Sequence, residues 1–249
     1  MSFLMSEEII ASRRFELKYS ISRYQYLQVR NAILPFMSSD PFTRATPKNQ
    51  YLVRSLYFDT PNYQAYYEKV NGDLNRVKFR IRTYSETIEN APTIRVELKV
   101  RKGLMMEKYS RFVELPEYQE FMNNWHWSLA NNPVLDEFER NLHLKHLRPK
   151  VLVEYFREGF QSRNRDDIRI TFDHKVRSVF SKSLFPKKGF FRPHHPHSII
   201  LEIKYYKKQP FWLGNIVRQH GLKIIANSKY AQGIEFASPD LVTPAWSNG

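Results

Sequence analysis

The sequence predicts an α+β fold: a closed antiparallel β-sheet with a charged lining and helices on its flanks. Three observations predict it. In Val77-Lys78-Phe79-Arg80-Ile81-Arg82 the bases Lys78, Arg80 and Arg82 occupy alternate positions. A strand turns successive side chains to opposite faces, so one side of this segment is cationic and the other apolar. The same alternation recurs in Arg95-Val96-Glu97-Leu98-Lys99-Val100, Arg169-Ile170-Thr171-Phe172-Asp173 and Leu201-Glu202-Ile203-Lys204-Tyr205. Finally, Glu-x-Lys occurs three times in strand-like surroundings, as Glu16-Leu17-Lys18, Glu97-Leu98-Lys99 and Glu202-Ile203-Lys204. One such strand is an ordinary solvated face of an antiparallel sheet. Repeated over many strands, the pattern points to a charged surface that needs an anion, with phosphate the first candidate.

Strand signals fall at 15–21, 51–59, 76–84, 93–100, 107–113, 151–157, 168–172 and 199–206. Between them lie helices. Ser22 with Gln25 forms a capping box for a helix that runs to about Leu34 and stops at Pro35. Helices are expected over 117–129, carrying Trp125 and Trp127, and over 133–147, where Leu135, Phe138 and Leu142 share a face. Pro210 opens a helix to about Gln219 that Gly221 closes, and another starts near Ser228. Loops are expected at 41–50, 85–92 and 182–198. No composition shift marks a boundary, so a single domain over 13–236 with terminal extensions 1–12 and 237–249 is expected.

The 249 residues include 39 Lys and Arg against 25 Asp and Glu, a formal charge of +14, and 42% are hydrophobic. The charge predicts attraction to polyanions (nucleic acid, anionic lipid or phosphate chains) without choosing among them. Absence of cysteine excludes disulfides and thiolate zinc sites and is compatible with a reducing cytosol. No apolar core follows a basic start at the N-terminus, and no stretch approaches ~18 uninterrupted apolar residues. A soluble, cytoplasmic chain without a membrane span is expected. There is no repeat at solenoid or propeller spacing.

If the polar faces converge, Glu16, Lys18, Lys78, Arg80, Arg82, Glu97, Lys99, Lys108, Arg157, Arg169, Glu202, Lys204 and Lys229 surround one cavity, with Ser228 beside it. A buried unpaired charge is very costly, so a cavity lined mainly by cations needs water, paired acids or an anion. Phosphate chains supply repeated charge and acceptor oxygens that arginine grips in bidentate fashion. The carboxylates Glu16, Glu97 and Glu202 would repel phosphate unless a divalent metal lies between them and it. Cross-strand ion pairing accounts for part of the Glu-x-Lys pattern.

The ordered set Arg14-Phe15-Glu16-Leu17-Lys18-Tyr19, Ser55-Leu56-Tyr57-Phe58-Asp59-Thr60, Lys78-Phe79-Arg80-Ile81-Arg82-Thr83-Tyr84, Glu97-Leu98-Lys99, Ile170-Thr171-Phe172-Asp173, Leu201-Glu202-Ile203-Lys204-Tyr205 and Ser228-Lys229-Tyr230 resembles the VTC domain. That is the polyphosphate polymerase domain of the vacuolar transporter chaperone, one of the CYTH-like triphosphate tunnel metalloenzymes, with stand-alone bacterial relatives. The resemblance implies an antiparallel β-barrel tunnel that holds ATP and a growing polyphosphate or triphosphate, with Mn2+ or Mg2+. It implies phosphate-binding roles for Lys18, Arg80, Arg82, Lys99, Lys108, Arg157, Arg169 and Lys229. It also implies a metal-coordinating role for Glu202 and a place near the phosphate path for Ser228. Lys78 and Lys204 join by alternation. Where the superfamily often carries Glu-x-Glu-x-Lys on the first strand, this chain has Arg14, which leaves Glu16 alone and leans away from a generic triphosphatase. The regulatory and membrane domains of the eukaryotic complex have no counterpart in this length, so coupling to transport would need separate membrane partners.

Other features read more blandly. The Arg192-Pro193-His194-His195-Pro196-His197 stretch reads as a stiff exposed loop whose imidazoles lack a geometry for metal binding. Tyr63, Tyr66 and Tyr67 read as packing residues, as do Trp125 and Trp127. Glu154 is expected outside the tunnel or paired within it. Asp59 and Asp173 are expected to end strands and cap turns. Rival functions are triphosphate hydrolysis, polyphosphate binding without turnover, and nucleic-acid binding, for which no recognisable motif is present.

Overall fold

The computed structural model describes residues 9–10, 15–91, 93–103, 105–129, 131–163, 168–206 and 208–237. The departure at Arg14 lies outside them. In chain order the strands are β1 (Ile9–Ile10), β2 (Phe15–Ile21), β3 (Met37–Ser39), β4 (Tyr51–Asp59), β5 (Arg76–Thr83), β6 (Thr93–Lys102), β7 (Met105–Glu114), β8 (Arg148–Ser162), β9 (Ile168–Phe180), β10 (Arg192–Pro193) and β11 (Ile199–Tyr205). The helices are α1 (Arg23–Ile33), α2 (Pro41–Arg44), α3 (Gln64–Val70), α4 (Leu115–Asn124), α5 (Pro133–Leu144), α6 (Phe211–Gln219) and α7 (Lys229–Ala237). The class is α+β with antiparallel pairing throughout the described ladders. No described helix is long and apolar enough to cross a membrane.

The chain forms two compact units, and β4, β8 and β9 contribute residues to both. The first contains β1, Arg54–Leu152 and Val179–Phe190, with strands in the order β1-β7-β6-β5-β4. Here the apolar side of the alternation faces helices. Phe79, Ile81, Val96 and Leu98 are buried, and the Phe79 ring meets Phe138 of α5 edge-on at 5.5 Å. Asn132 caps α5 by accepting from the backbone N–H groups of Val134 and Leu135, and Pro133 follows where its missing N–H costs nothing. Helix α4 ends earlier than expected, because Trp125 takes the left-handed conformation at its C-cap. Trp127 then stacks on Phe121 at 3.8 Å, in the core but beyond the helix. Asp59 meets the expectation of a cap: its carboxylate accepts from the N–H groups of Thr60, Ala65 and Tyr66 at the start of α3.

The second unit contains Arg13–Val53, Val153–Ser178 and Phe191–Gly249, with β8-β9-β11-β2 in order, β3 on β8 and β10 on β9. Its core takes Tyr19 and Ile21 from β2, Ile170 and Phe172 from β9, and Leu201 and Ile203 from β11. These pack with Val29 and Ile33 of α1 and Leu213 and Ile216 of α6. The Ser22–Gln25 capping box opens α1, and Gly221, at φ +58°, follows α6. The expected loop after position 40 holds a short helix, α2, because Asp40 caps it through the Thr43 N–H.

Two further expectations fail here. Asp173 does not end a strand: β9 runs on to Phe180, and Asp173 lies within it, fully buried. The histidine stretch is not simply an exposed loop either. Arg192 and Pro193 pair with β9, and His194 is buried, with Nε2 3.0 Å from Ser178 Oγ and its ring stacked on Phe236 at 4.9 Å. Burial pushes the His194 imidazole down to about 4, with nearby His195 and Lys229 adding to the shift.

Candidate functional site

Strand register builds the site, because residues paired directly across an antiparallel ladder point to the same face. In the first unit three rows result. Lys78, Lys99 and Lys108 form one, Arg80, Glu97 and Ser110 the next, and Arg82, Arg95 and Phe112 the third. Strand β4 adds Tyr57 beside Arg80 and Ser55 beside Arg82.

Glu97 is the hub of this face and is 1% exposed. Its Oε2 accepts from Arg80 Nε at 2.7 Å and lies 3.6 Å from Arg82 Nε, and its Oε1 accepts from Lys108 Nζ at 3.3 Å. Arg80 also donates to Tyr57 Oη at 3.2 Å, and Arg82 donates to Ser55 Oγ at 2.9 Å. Burial alone would raise the Glu97 carboxyl, but Arg80, Arg82 and Lys108 hold it well below the usual range. The Lys108 ammonium is pushed down to about 8 by burial, with Arg95, Arg80 and Arg82 adding repulsion that Glu97 only partly offsets. With both oxygens held by cations, Glu97 is placed as a counter-ion that arranges Arg80, Arg82 and Lys108.

The second unit repeats the scheme. Its rows are Glu16, Lys204 and Arg169, then Lys18, Glu202 and Thr171, then Ser20, Ile200 and Asp173. Glu202 Oε1 lies 2.7 Å from Lys204 Nζ, and its Oε2 lies 3.8 Å from Arg157 Nη2. Burial would raise the Glu202 carboxyl, yet Lys204, Lys18, Lys229 and Arg157 hold it well below the usual range. Lys18 Nζ lies 3.1 Å from Glu16 Oε1 and donates to the Asn227 carbonyl at 3.0 Å.

Arg157, on β8, grips Asp173 in bidentate fashion, Nε to Oδ1 at 2.7 Å and Nη2 to Oδ2 at 2.9 Å. Lys229 Nζ, at the start of α7, lies 2.6 Å from Oδ2 of the same carboxylate. Both cations also lie over the Tyr155 ring, at 5.2 and 4.7 Å. Burial pushes the Asp173 carboxyl up, but Arg157 and Lys229 outweigh it and bring it to about 2.

Asp173 and Tyr155 were missed by the sequence reading. The signal for Asp173 was its position two residues beyond Thr171 on the same face. Two expected residues sit apart from these hubs. Arg169 is half-exposed and bonds Asp40 Oδ2 at 2.9 Å and Tyr51 Oη at 3.3 Å. Ser228 accepts from the Ala231 N–H at the opening of α7, which makes it a helix cap. Glu154 is buried and paired with Arg177.

A divalent metal fits the Glu202 row. Beside it in register, the Thr171 hydroxyl is buried without a hydrogen-bond partner among the described residues, so oxygen donors suited to a hard cation lie side by side. Among the described residues no group of three His, Asp or Glu converges to hold a metal. The ion would therefore take its remaining ligands from phosphate and water, as Mg2+ commonly does.

The family described as VTC domain matches residues 13–238. No curated protein matches the chain. Among solved structures, a candidate adenylate cyclase from Bacillus halodurans superposes with a TM-score of 0.53 at 12% identity, covering 87% of this chain and 94% of that one. That likeness shows a shared fold. A protein from Pyrococcus horikoshii aligns at 14% identity with a TM-score of 0.44, over 89% of this chain and 96% of its own. The Mimivirus capping-enzyme triphosphatase aligns at 12% identity with a TM-score of 0.34, over 79% and 82%.

Proposed function

Since the chain belongs to the VTC domain family, we propose that it is a metal-dependent polyphosphate polymerase that transfers the γ-phosphate of ATP to the end of an inorganic polyphosphate chain. One observation supports this above the others: on a single face of the sheet of the first unit, cations outnumber the carboxylates. In the first unit Lys78, Arg80, Arg82, Arg95, Lys99 and Lys108 share a face with Glu97. Such a wall is neutralised by phosphate oxygens, and its arginines are oriented in advance by Glu97, Ser55 and Tyr57.

Phosphoryl transfer asks little covalent chemistry of a protein, so positioning and charge neutralisation supply the rate. Arg80, Arg82, Lys99 and Lys108 would bind phosphate oxygens in the first unit. Lys18, Arg157, Lys204 and Lys229 would do so in the second. Lys78, Arg169 and the Ser228 segment would contribute at the edges. Asp173 positions Arg157 and Lys229, which keeps two cations fixed before substrate arrives. Glu202, with the Thr171 hydroxyl, would hold Mn2+ or Mg2+, which when bound would withdraw charge from the transferred phosphoryl group. No side chain need act as a nucleophile.

The test is Glu202→Gln. ATP consumption and polyphosphate affinity are measured side by side with manganese and with magnesium. Turnover is expected to vanish while polyphosphate binding persists. Full activity in the variant would remove Glu202 from the mechanism.

A further inference from the structure

Arg95 belongs to the cationic face of the first unit but not to the expected phosphate-binding set. It lies on β6, directly across from Arg82 of β5 on one side and Phe112 of β7 on the other. Its guanidinium carbon sits 4.2 Å from the centre of the Phe112 ring. Its Nε is buried and meets no hydrogen-bond acceptor among the described residues. Glu97, two residues along the same face, is already held by Arg80, Arg82 and Lys108. Like charges directly opposed across a ladder destabilise a sheet. A guanidinium without an acid to pair it among the described residues, set against a second guanidinium, is therefore a cost to the empty protein.

We propose that Arg95 and Arg82 form a two-arginine fork for one phosphoryl group of the substrate, with Phe112 holding the Arg95 plane in place. The inference rests on the phosphate-handling reading and adds to it a further anion-binding residue. A guanidinium presents several donors in a fixed plane, which suits two oxygens of one phosphoryl group. Stacking on an aromatic ring removes rotamer freedom before binding, so less is lost when the anion arrives. The anion supplies the acceptor that the buried Nε lacks, and it relieves the repulsion between the two arginines.

The experiment uses the full chain, inorganic tripolyphosphate and a chelator, so that binding is read without metal or turnover. Affinity is measured by calorimetry, and melting temperature is measured without ligand. Arg95→Gln is expected to weaken tripolyphosphate about tenfold or more, the scale of one lost charge-assisted contact. Arg95→Lys, which keeps the charge but loses the fork, should fall between the two. Arg140→Gln, an equal charge change at an exposed residue paired with Glu137, should shift affinity less than twofold. Unliganded Arg95→Gln should melt no lower than the parent. Equal affinity in the parent and both Arg95 variants overturns the proposal. A melting point several degrees lower in Arg95→Gln also overturns it, because Arg95 would then be a packing residue. A parent protein that binds no tripolyphosphate even at low salt defeats the phosphate-handling reading itself.

Discussion

Replacing Asp173 with Asn tests whether a buried carboxylate holds the cations of the second unit in place. Asp173 is fully buried and receives two bonds from Arg157 and a third contact from Lys229. Removing one partner of a buried ion pair costs about 3–5 kcal/mol, because the remaining charge loses its compensation. The carboxyl itself gives a second figure. Its value falls from 3.8 to about 2 in the folded chain, which corresponds to roughly 2.5 kcal/mol of stability at neutral pH. Glu202, 3.8 Å from Arg157, softens the loss, so about 3 kcal/mol is expected. Because the folded value is depressed, this stability is fully present above the unfolded value near 4 and is lost as pH falls through 2. Urea unfolding followed by tryptophan fluorescence should show the full gap between parent and Asp173→Asn at pH 7. By pH 3 the gap should shrink by about 1 kcal/mol. A gap below about 0.5 kcal/mol at pH 7, or one that widens on acidification, would refute the reasoning.

Other outcomes follow from the same geometry. Phe79→Ala should cost about 3–5 kcal/mol in denaturant, since its buried ring packs on Phe138. Arg82→Ala should leave the protein folded, because Arg80 and Lys108 still hold Glu97, yet weaken polyphosphate binding about tenfold; the reverse pattern would mean that the two faces of β5 are misassigned. Gly159→Ala should lower the melting point by an amount equivalent to about 1–3 kcal/mol, since a β-carbon there would come within 2.1 Å of Asp40 Oδ2; a neutral effect would mean that Asp40 and its bridge to Arg169 move freely. Lys108, depressed to about 8, should make tripolyphosphate binding fall as pH rises through 8, and Lys108→Arg should flatten that profile. For the empty protein the sign is opposite: between 8 and the unfolded value near 10.5 the unfolded chain holds more protons, so stability should rise with pH.

The period-2 alternation of β5 and β6 made the first cluster legible, and the structure bears out the facing assigned to Phe79 and Arg80. Two of the Glu-x-Lys repeats lie opposite each other in the β2–β11 register, Lys18 across from Glu202 and Glu16 across from Lys204. What stayed hidden depends on strand length and long-range partners. Asp173 read as a strand end because Asp is common in turns, whereas pairing to β11 and the grip of Arg157 carry the strand through it. The commitment of Glu97 to three cations is invisible in sequence, since Arg80 and Lys108 meet it only across two ladders. His194 was concealed for a similar reason: its burial depends on Phe236 of α7, which lies far along the chain.

The most direct test of the polymerase assignment follows the γ-phosphate itself. ATP labelled at that position is incubated with the protein, manganese and a short polyphosphate primer, and the products are separated by length while ADP is counted. Label is expected in lengthening polymer, with one ADP released for each phosphate incorporated. Label recovered entirely as free orthophosphate, with the primer unchanged, would contradict the assignment.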